Sequence, residues 1–561
     1  MGRKRRMDFD TTGAHMGTKD GYAGRFGLRA RRASVCGLLM MLALLAAAGC
    51  LPFGLGQTQP VEPTQTPIPA TSTPTASATP TRVVKPTPTP WPAVTPDAEQ
   101  IAEQSGALLP EFAQDMEALV SATYYQIDLR VIFAVGDSQA ELEGTVRIRY
   151  TNTSQSPLTD MALMLWPNDD QYRSEMTAGP VLVGGEEVTA QEELGGLALR
   201  LTLPYPLPPG AEIELSLPFH IRAYAPIGGA TPQRFGITEG VLVAPTFYPL
   251  VPRLLGEYWQ VERAAPGGDT TNSDIAFYDV RITLAEDLGL AASGVEVEAK
   301  SNGDGTRTVR FFSGPMRDFA FAAGPFDVYE RTADGVTVRA WVLGEHANQA
   351  ETMLRAAARQ LELLGELVGP YPYPELDLVD APGAFGGIEY PGLIFIGTMG
   401  TSWLIEPTVH EVAHQWFYGM IGNDQLHEPW LDEAAATYAE VLYYEHFGRA
   451  GQDVGLLASF HYQLRFMSDP NLPIGLALAS YPSEYDYGVF VYLKGALFFD
   501  ALRMRMGDQD FFDFLKAYFA QTRYGFASAE VFEQMAEEVC ECNLDALFDL
   551  WVYQGGEIPG Q

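Results

Sequence analysis

Two histidines four residues apart, with a glutamate beside the first, constrain this chain more than any other stretch. In His410-Glu411-Val412-Ala413-His414 the spacing puts both imidazoles on one helix face, about one turn apart. The segment 407–420 reads as that helix. Rings so placed can each give one nitrogen to a single Zn²⁺, while Glu411 can reach a water on the ion rather than the ion itself. The chain has only 8 His in 561 residues, so the pattern is not a by-product of a histidine-rich composition.

Such a site needs a third donor and one open position. A second helical pattern begins at Trp430, after a loop rich in Gly, Asn, Asp and Pro. It carries Glu433, 19 residues beyond His414. A helix–loop–helix of that length returns the second helix against the first. The expected metal ligands are therefore His410, His414 and Glu433. Glu440, one heptad further on, shares their face and is placed to hold a ligand imidazole. His427 and His446 have no partner spacing and read as bystanders.

A chain this long exceeds one hydrophobic core and implies several domains. Its formal charge of −35 argues against a nucleic-acid partner, which would need clustered Lys and Arg. Residues 1–49 read as a lipoprotein signal peptide. Arg25, Arg29, Arg31 and Arg32 precede an uncharged apolar run from Val35 to Ala48, too short to span a bilayer comfortably. Small residues then lead into Cys50, the expected lipid site and membrane anchor. That stretch holds nine Lys/Arg and three Asp/Glu, so without it the charge falls to −41. Residues 50–98, rich in Thr and Pro, read as an extended tether.

From 99 to 330 the apolar residues mostly alternate, as in Tyr125 to Val131 and Leu142 to Tyr150, which marks a β-rich domain. From 331 to 561 helical periods dominate: 351–368, 407–420, 430–447, 451–467, 488–506, 509–522 and 528–538. Short strands are expected at 376–379 and 393–396. The fold class is thus α+β and multidomain, a saddle-like β-rich domain followed by a mainly helical one. Of the four cysteines, Cys540 and Cys542 lie two apart, which strains a mutual disulfide, so no disulfide framework is expected.

With Glu433 following the two histidines after eighteen intervening residues, the chain resembles the gluzincin peptidases of the aminopeptidase N and leukotriene hydrolase family. Gly386-Gly387-Ile388-Glu389-Tyr390 is similar to that family's exopeptidase motif. Tyr492-Leu493-Lys494-Gly495 is similar to the stretch carrying its catalytic tyrosine. Pro370 to Pro374 and Met316 to Phe326 agree as well, and the resemblance spans about 120–555. It implies a thermolysin-like catalytic domain, one Zn²⁺ per chain, and peptide substrates with a free amino terminus, while the signal peptide and Cys50 place the expected cleavage at the outer face of a bacterial cell membrane. Glu411 is then the general base and Tyr492 the donor to the oxyanion. Glu389, with Gly386 and Gly387, binds the α-amino end, and the strand at 393–396 lines the peptide by edge pairing. Two departures stand out: Tyr390 where the family has Asn, and Asp432 and Ala434 around the third ligand. Competing expectations are a zinc endopeptidase and a non-catalytic peptide-binding surface lipoprotein on the same scaffold.

Overall fold

The computed structural model describes residues 98–226, 234–269, 271–382, 386–397 and 403–558. The expected signal peptide, the lipid site Cys50 and nearly all of the tether lie outside them.

Helix α1 (Ala98–Ser105) ends before Gly106, and Pro110–Leu119 then winds as a 3₁₀ helix. The alternating stretch follows as β1 (Thr123–Ile132), which buries Tyr125, Ile127, Leu129 and Val131 on one face. It pairs antiparallel with β2 (Gln139–Thr151), which pairs in turn with β3 (Glu212–Tyr224). On its other side β1 runs parallel to β4 (Ala276–Ala285). These strands form the middle of a nine-stranded sheet. Its core is aromatic: Tyr125 stacks on Tyr278 with centroids 5.0 Å apart, and Tyr248 meets both edge-on.

Strand β5 (Phe326–Ala333) forms a hairpin with β6 (Val336–Leu343), which runs parallel to β7 (Glu375–Asp380). The boundary drawn at 330 therefore falls inside a strand. Mostly solvent-facing along its length, β5 lacks the buried alternation that would have marked it. The sheet is completed by β8 (Gly387–Tyr390) and β9 (Leu393–Ile396), in the order β5-β6-β7-β9-β8. Here an expectation is corrected. β9 is paired on both sides, parallel to β7 and antiparallel to β8, so among the described residues β8 is the edge strand of this sheet. Val379, Ile388, Leu393 and Phe395 of this sheet share one core with Val241, Val243, Ala320 and Ala322 of the β-rich part.

Helix α2 (Ala350–Leu367) packs over the sheet, and the helical half follows: α3 (Ile405–Ala413), α4 (Trp430–Phe447), α5 (Gln452–Leu464), α6 (Gly495–Met506), α7 (Asp508–Thr522) and α8 (Ala529–Cys540). Two expectations change. Helix α3 stops at Ala413 rather than 420. Trp416, Phe417, Met420 and Ile421 continue the apolar run, but they are buried in a tight turn in which Tyr418 adopts φ +105°. The stretch 488–506 begins as π-helical turns over Gly488–Lys494, the widened winding that often marks functional segments. A third correction concerns sulfur: Cys540 and Cys542 are joined in a disulfide, their Cα atoms 5.1 Å apart. That separation is within the reach of a bridge, and Glu541 between them takes a left-handed conformation that brings the two ends together.

Candidate active site

Helix α3 presents His410 and Glu411, and His414 is the residue capping its C-terminal end. Glu433 sits in the first turn of α4. The two helices pack so that the His410 and His414 Nε2 atoms are 3.0 Å apart, each 3.2 Å from Glu433 Oε2. His414 is held from behind by Phe417, whose carbonyl lies 3.0 Å from Nδ1. A carbonyl only accepts, so Nδ1 of His414 carries a proton and Nε2 is the nitrogen turned inward. His410 Nδ1 faces Glu440 Oε1 at 3.0 Å, as its heptad spacing led us to expect. Two imidazole Nε2 atoms and one carboxylate oxygen thus converge, all within 4.8 Å of one another. Two His with one carboxylate around one buried point are a donor set for a first-row divalent metal with an open position.

The electrostatics agree. Burial pushes Glu411 up to about 7 although the two histidines pull it down, and burial likewise raises Glu389 well above the carboxylate range. Glu433 goes the other way: burial opposes ionisation, but contact with His414 and His410 holds it well below its ordinary value. His410 is raised to about 10, burial being outweighed by its hydrogen bonds to Glu433 and Glu440. A crowd of buried acids with opposed shifts is characteristic of a reactive site.

Glu411 Oε2 is buried and has no hydrogen-bond partner among the described residues, and a Glu411 carboxylate oxygen lies within 4.8 Å of a His414 ring nitrogen. The other oxygen of Glu411, Oε1, lies against the edge strand β8. A Cβ on Gly387 would sit 2.4 Å from Glu411 Oε1, so only glycine lets the strand approach this closely. Gly386 stands just before, its carbonyl accepting from Gly397 N–H at 3.1 Å. Two residues beyond Gly387, and so on the same strand face, Glu389 converges with Glu411 and His414, their donor atoms again within 4.8 Å. Tyr390 points the other way, into the shared core, which is why a bulky ring is tolerated there. Gln425 Nε2 reaches Glu389 at 3.4 Å and Asp432 at 3.1 Å.

From the π-helical turns, Tyr492 donates to Glu433 Oε1 at 2.5 Å and stacks on the His410 ring at 5.8 Å. Burial and the nearby Glu433 keep its phenol protonated far above the usual tyrosine range. Of the two departures near the third ligand, Asp432 accepts from Asn423 and Gln425. Ala434 packs against Gly495, where a second Cβ would clash at 2.4 Å. His427 pairs with Asp424 and Glu262, and His446 bonds to the Leu442 carbonyl, both apart from the triad.

All eight expected site residues therefore gather in one place. Sequence reasoning missed two more, Asp269 and Arg234. Their side chains form an ion pair, and Asp269 lies within hydrogen-bonding reach of Glu433. They come from loops of the β-rich part with no motif spacing to any ligand, so nothing in the local pattern marked them.

Residues 352–551 match the model of the peptidase family M1 domain. The human aminopeptidase RNPEPL1 is 29% identical over 230 residues, 37% of this chain and 32% of that protein. Aminopeptidase M1 of Arabidopsis thaliana is 24% identical over 311 residues, 50% of this chain and 34% of that protein. The chain thus spans about a third of the length of the curated relatives it matches. In fold it is similar to the M1 zinc metallopeptidase of Deinococcus radiodurans, with a TM-score of 0.61 at 22% identity, covering 78% of this chain and 95% of that one. A mutant of that enzyme bound to a Tyr-Ser-Ala substrate superposes with a TM-score of 0.59 at 21% identity.

Proposed function

Since the chain belongs to peptidase family M1, the gluzincin group of aminopeptidase N, we propose that it is a zinc-dependent aminopeptidase. On this reading it removes residues from the free amino end of peptides. The observation that carries the proposal is the convergence of His410, His414 and Glu433 beside an unpartnered, buried Glu411 oxygen.

His410, His414 and Glu433 would hold the zinc, with Glu440 and the Phe417 carbonyl fixing the two rings. The bound ion supplies Lewis acidity and lowers the pKa of water to about 7. Glu411, whose Oε2 has no hydrogen-bond partner among the described residues, takes the proton of the attacking water and later passes it to the leaving amine. Tyr492, kept protonated by burial, donates its phenolic hydrogen to the oxyanion formed from the scissile carbonyl. Glu389 pairs with the α-ammonium group, and the free edge of β8 aligns the peptide backbone by strand pairing. Buried carboxylates around that position favour a substrate that arrives positively charged.

The same reading places the enzyme outside the cell membrane on a lipid at Cys50. Its support is the apolar run before Cys50 and the Thr- and Pro-rich stretch after it. Among the described residues no helix is long and apolar enough to cross a membrane.

The test uses purified protein, metal analysis and paired peptides with free or acetylated amino ends. Wild type should bind one zinc per chain and cleave only the free-amine peptide, with loss on chelation. Glu411→Gln should keep the zinc and lose turnover by roughly 10⁴-fold. Full activity in that variant, or equal cleavage of acetylated peptides by wild type, would refute the respective parts. For the anchor, Cys50→Ser should move the protein from the membrane to the soluble fraction, and continued membrane retention counts against it.

A further inference from the structure

Lys494 carries a buried charge that the proposed reaction does not use. The side chain is 0% exposed. Its ammonium is met by two backbone carbonyls: Nζ donates to Pro470 at 3.0 Å and to Leu472 at 2.7 Å. The Phe490 ring covers a further side, its centroid 5.6 Å away. Burial lowers its pKa to about 8, with Asp469 pulling the other way, so the ammonium still holds its proton at neutral pH. Taking an ammonium out of water is costly, and here the carbonyls replace the water.

The residue ends the π-helical turns over Gly488–Lys494, which carry Tyr492. Side chains two apart on a helical segment project from nearly opposite sides. Tyr492 accordingly faces the site, touching Glu433 and His410, while Lys494 faces away into the loop 469–475. Such wide winding is rare, and contacts from both sides hold it here. In front, the close approach of Gly495 to Ala434 seats the turns on α4. Behind, the loop offers two carbonyls to Lys494 and a third, from Ile474, to the Tyr481 hydroxyl at 2.7 Å. The Tyr481 ring in turn stacks on Phe490 of the same turns, with centroids 6.2 Å apart.

The loop is itself pinned to the last helical turns of the described chain, Asp549–Tyr553. The Ile474 N–H donates to the Trp551 carbonyl at 2.9 Å, and the Gly475 N–H to the Val552 carbonyl at 3.1 Å. The Gly556 N–H closes the other end on the Asn471 carbonyl at 2.9 Å. A Cβ on Gly475 would lie 2.5 Å from the Val552 carbonyl oxygen, so a side chain there would push the loop away. A braced wall thus stands behind the tyrosine, and the Lys494 ammonium joins the turns to it. We propose that Lys494 is a positioning residue: by holding the π-helical turns to the loop 469–475, it sets where the Tyr492 hydroxyl meets the oxyanion.

The proposal rests on the aminopeptidase reading, in which Tyr492 acts on the oxyanion. Its test combines steady-state kinetics with amide exchange on full-length, zinc-loaded protein. Lys494→Met keeps an unbranched side chain and removes the charge. It should hold one zinc per chain and lower kcat by roughly 10- to 100-fold, as a displacement near 1 Å does, with KM within about 2-fold of wild type. In the Tyr492→Phe background the same substitution should cost less than about 2-fold, because the hydroxyl it positions is gone. Amide exchange over 488–495 should be faster. Gly475→Ala keeps Lys494 and displaces its two carbonyls instead. It should reproduce the loss in kcat and the dependence of that loss on Tyr492. An equal loss in both backgrounds would make Lys494 a packing residue, and unchanged kcat in both variants would make it idle; each overturns the proposal. Loss of zinc from both variants overturns it too, since the turns would then support the metal rather than the hydroxyl. If wild type cleaves no peptide, the aminopeptidase reading fails by itself, and exchange over 488–495 still decides the brace: unchanged exchange in both variants refutes it.

Discussion

The metal side of the site and its amine side are built by opposite means. His410, His414 and Glu433 lie within 24 consecutive residues, on two helices joined by one loop. The amine side draws Glu389 from an edge strand, Gln425 from that loop, and the Asp269–Arg234 pair from two loops of the β-rich part. A metal tolerates little error in its ligands, and adjacent helix turns hold side chains with the least reliance on distant packing. Selectivity tolerates more variety, and long-range loops supply it. The contrast teaches that the chemistry of this chain is a local property and its choice of substrate a global one.

The comparison breaks most visibly at the third ligand. Glu433→Ala removes one of three donors, so the purified variant should contain essentially no zinc and show no turnover. Stoichiometric zinc in that variant would mean that Asp269 or Glu389 substitutes, and the two sides would no longer be distinct. Tyr492→Phe tests a group that touches both the ligand Glu433 and the proposed oxyanion position. Turnover should fall by roughly 10² to 10³ with zinc content unchanged. A loss confined to KM would move Tyr492 from the metal side to the binding side.

The same contrast explains what could be read from the sequence. The pair at 410 and 414 is visible because helical spacing alone fixes it, and Glu433 because a short loop leaves the second helix little choice. Helix α4 has the bounds read from its periodicity, 430–447. Helix α3 was read seven residues too long. Apolar residues at 416, 417, 420 and 421 are buried in a turn, and period analysis cannot tell a buried turn from a buried helix. The edge strand was misassigned because a strand's sequence does not state its neighbours. β9 is the more apolar of the pair and for that reason lies inside the sheet. Asp269 and Arg234 escaped notice altogether, since an isolated Asp and Arg in loops give no signal until the fold brings them together. The Cys540–Cys542 bridge was rejected on spacing, and a left-handed residue between the two cysteines overcame the objection.

A smaller effect sharpens the comparison at the support of the metal side. Glu440 lies behind His410 without facing the open position of the triad. Glu440→Gln keeps the shape and weakens the acceptor, so zinc affinity should drop about 10- to 100-fold, with kcat at saturating zinc much less affected. Competition with a chromogenic chelator measures it. Unchanged affinity would make Glu440 a packing residue only.

The smallest effect expected is on stability, at the joint between the two sides. Arg317 and Asp318 of the β-rich part grip the turn after His414. Arg317 Nε donates to the Tyr418 carbonyl at 2.7 Å, and Tyr418 donates its hydroxyl to Asp318 Oδ2 at 2.7 Å. Burial raises Asp318 from 3.8 to about 7, against the opposing pull of Tyr418 and Arg317. In the unfolded chain the acid ionises near its ordinary value, while in the folded one it keeps its proton until about pH 7. Its contribution is therefore complete below about pH 4 and is lost as the pH rises through about 7. At 1.36 kcal/mol per unit the full loss is at most roughly 4 kcal/mol. Asn at 318 accepts the same hydrogen bond and cannot ionise. Asp318→Asn should therefore show a smaller fall in Tm than wild type between about pH 5 and about pH 8. Parallel Tm profiles would remove Asp318 from the pH response and leave Arg317 as the grip that holds the metal turn to the β-rich part.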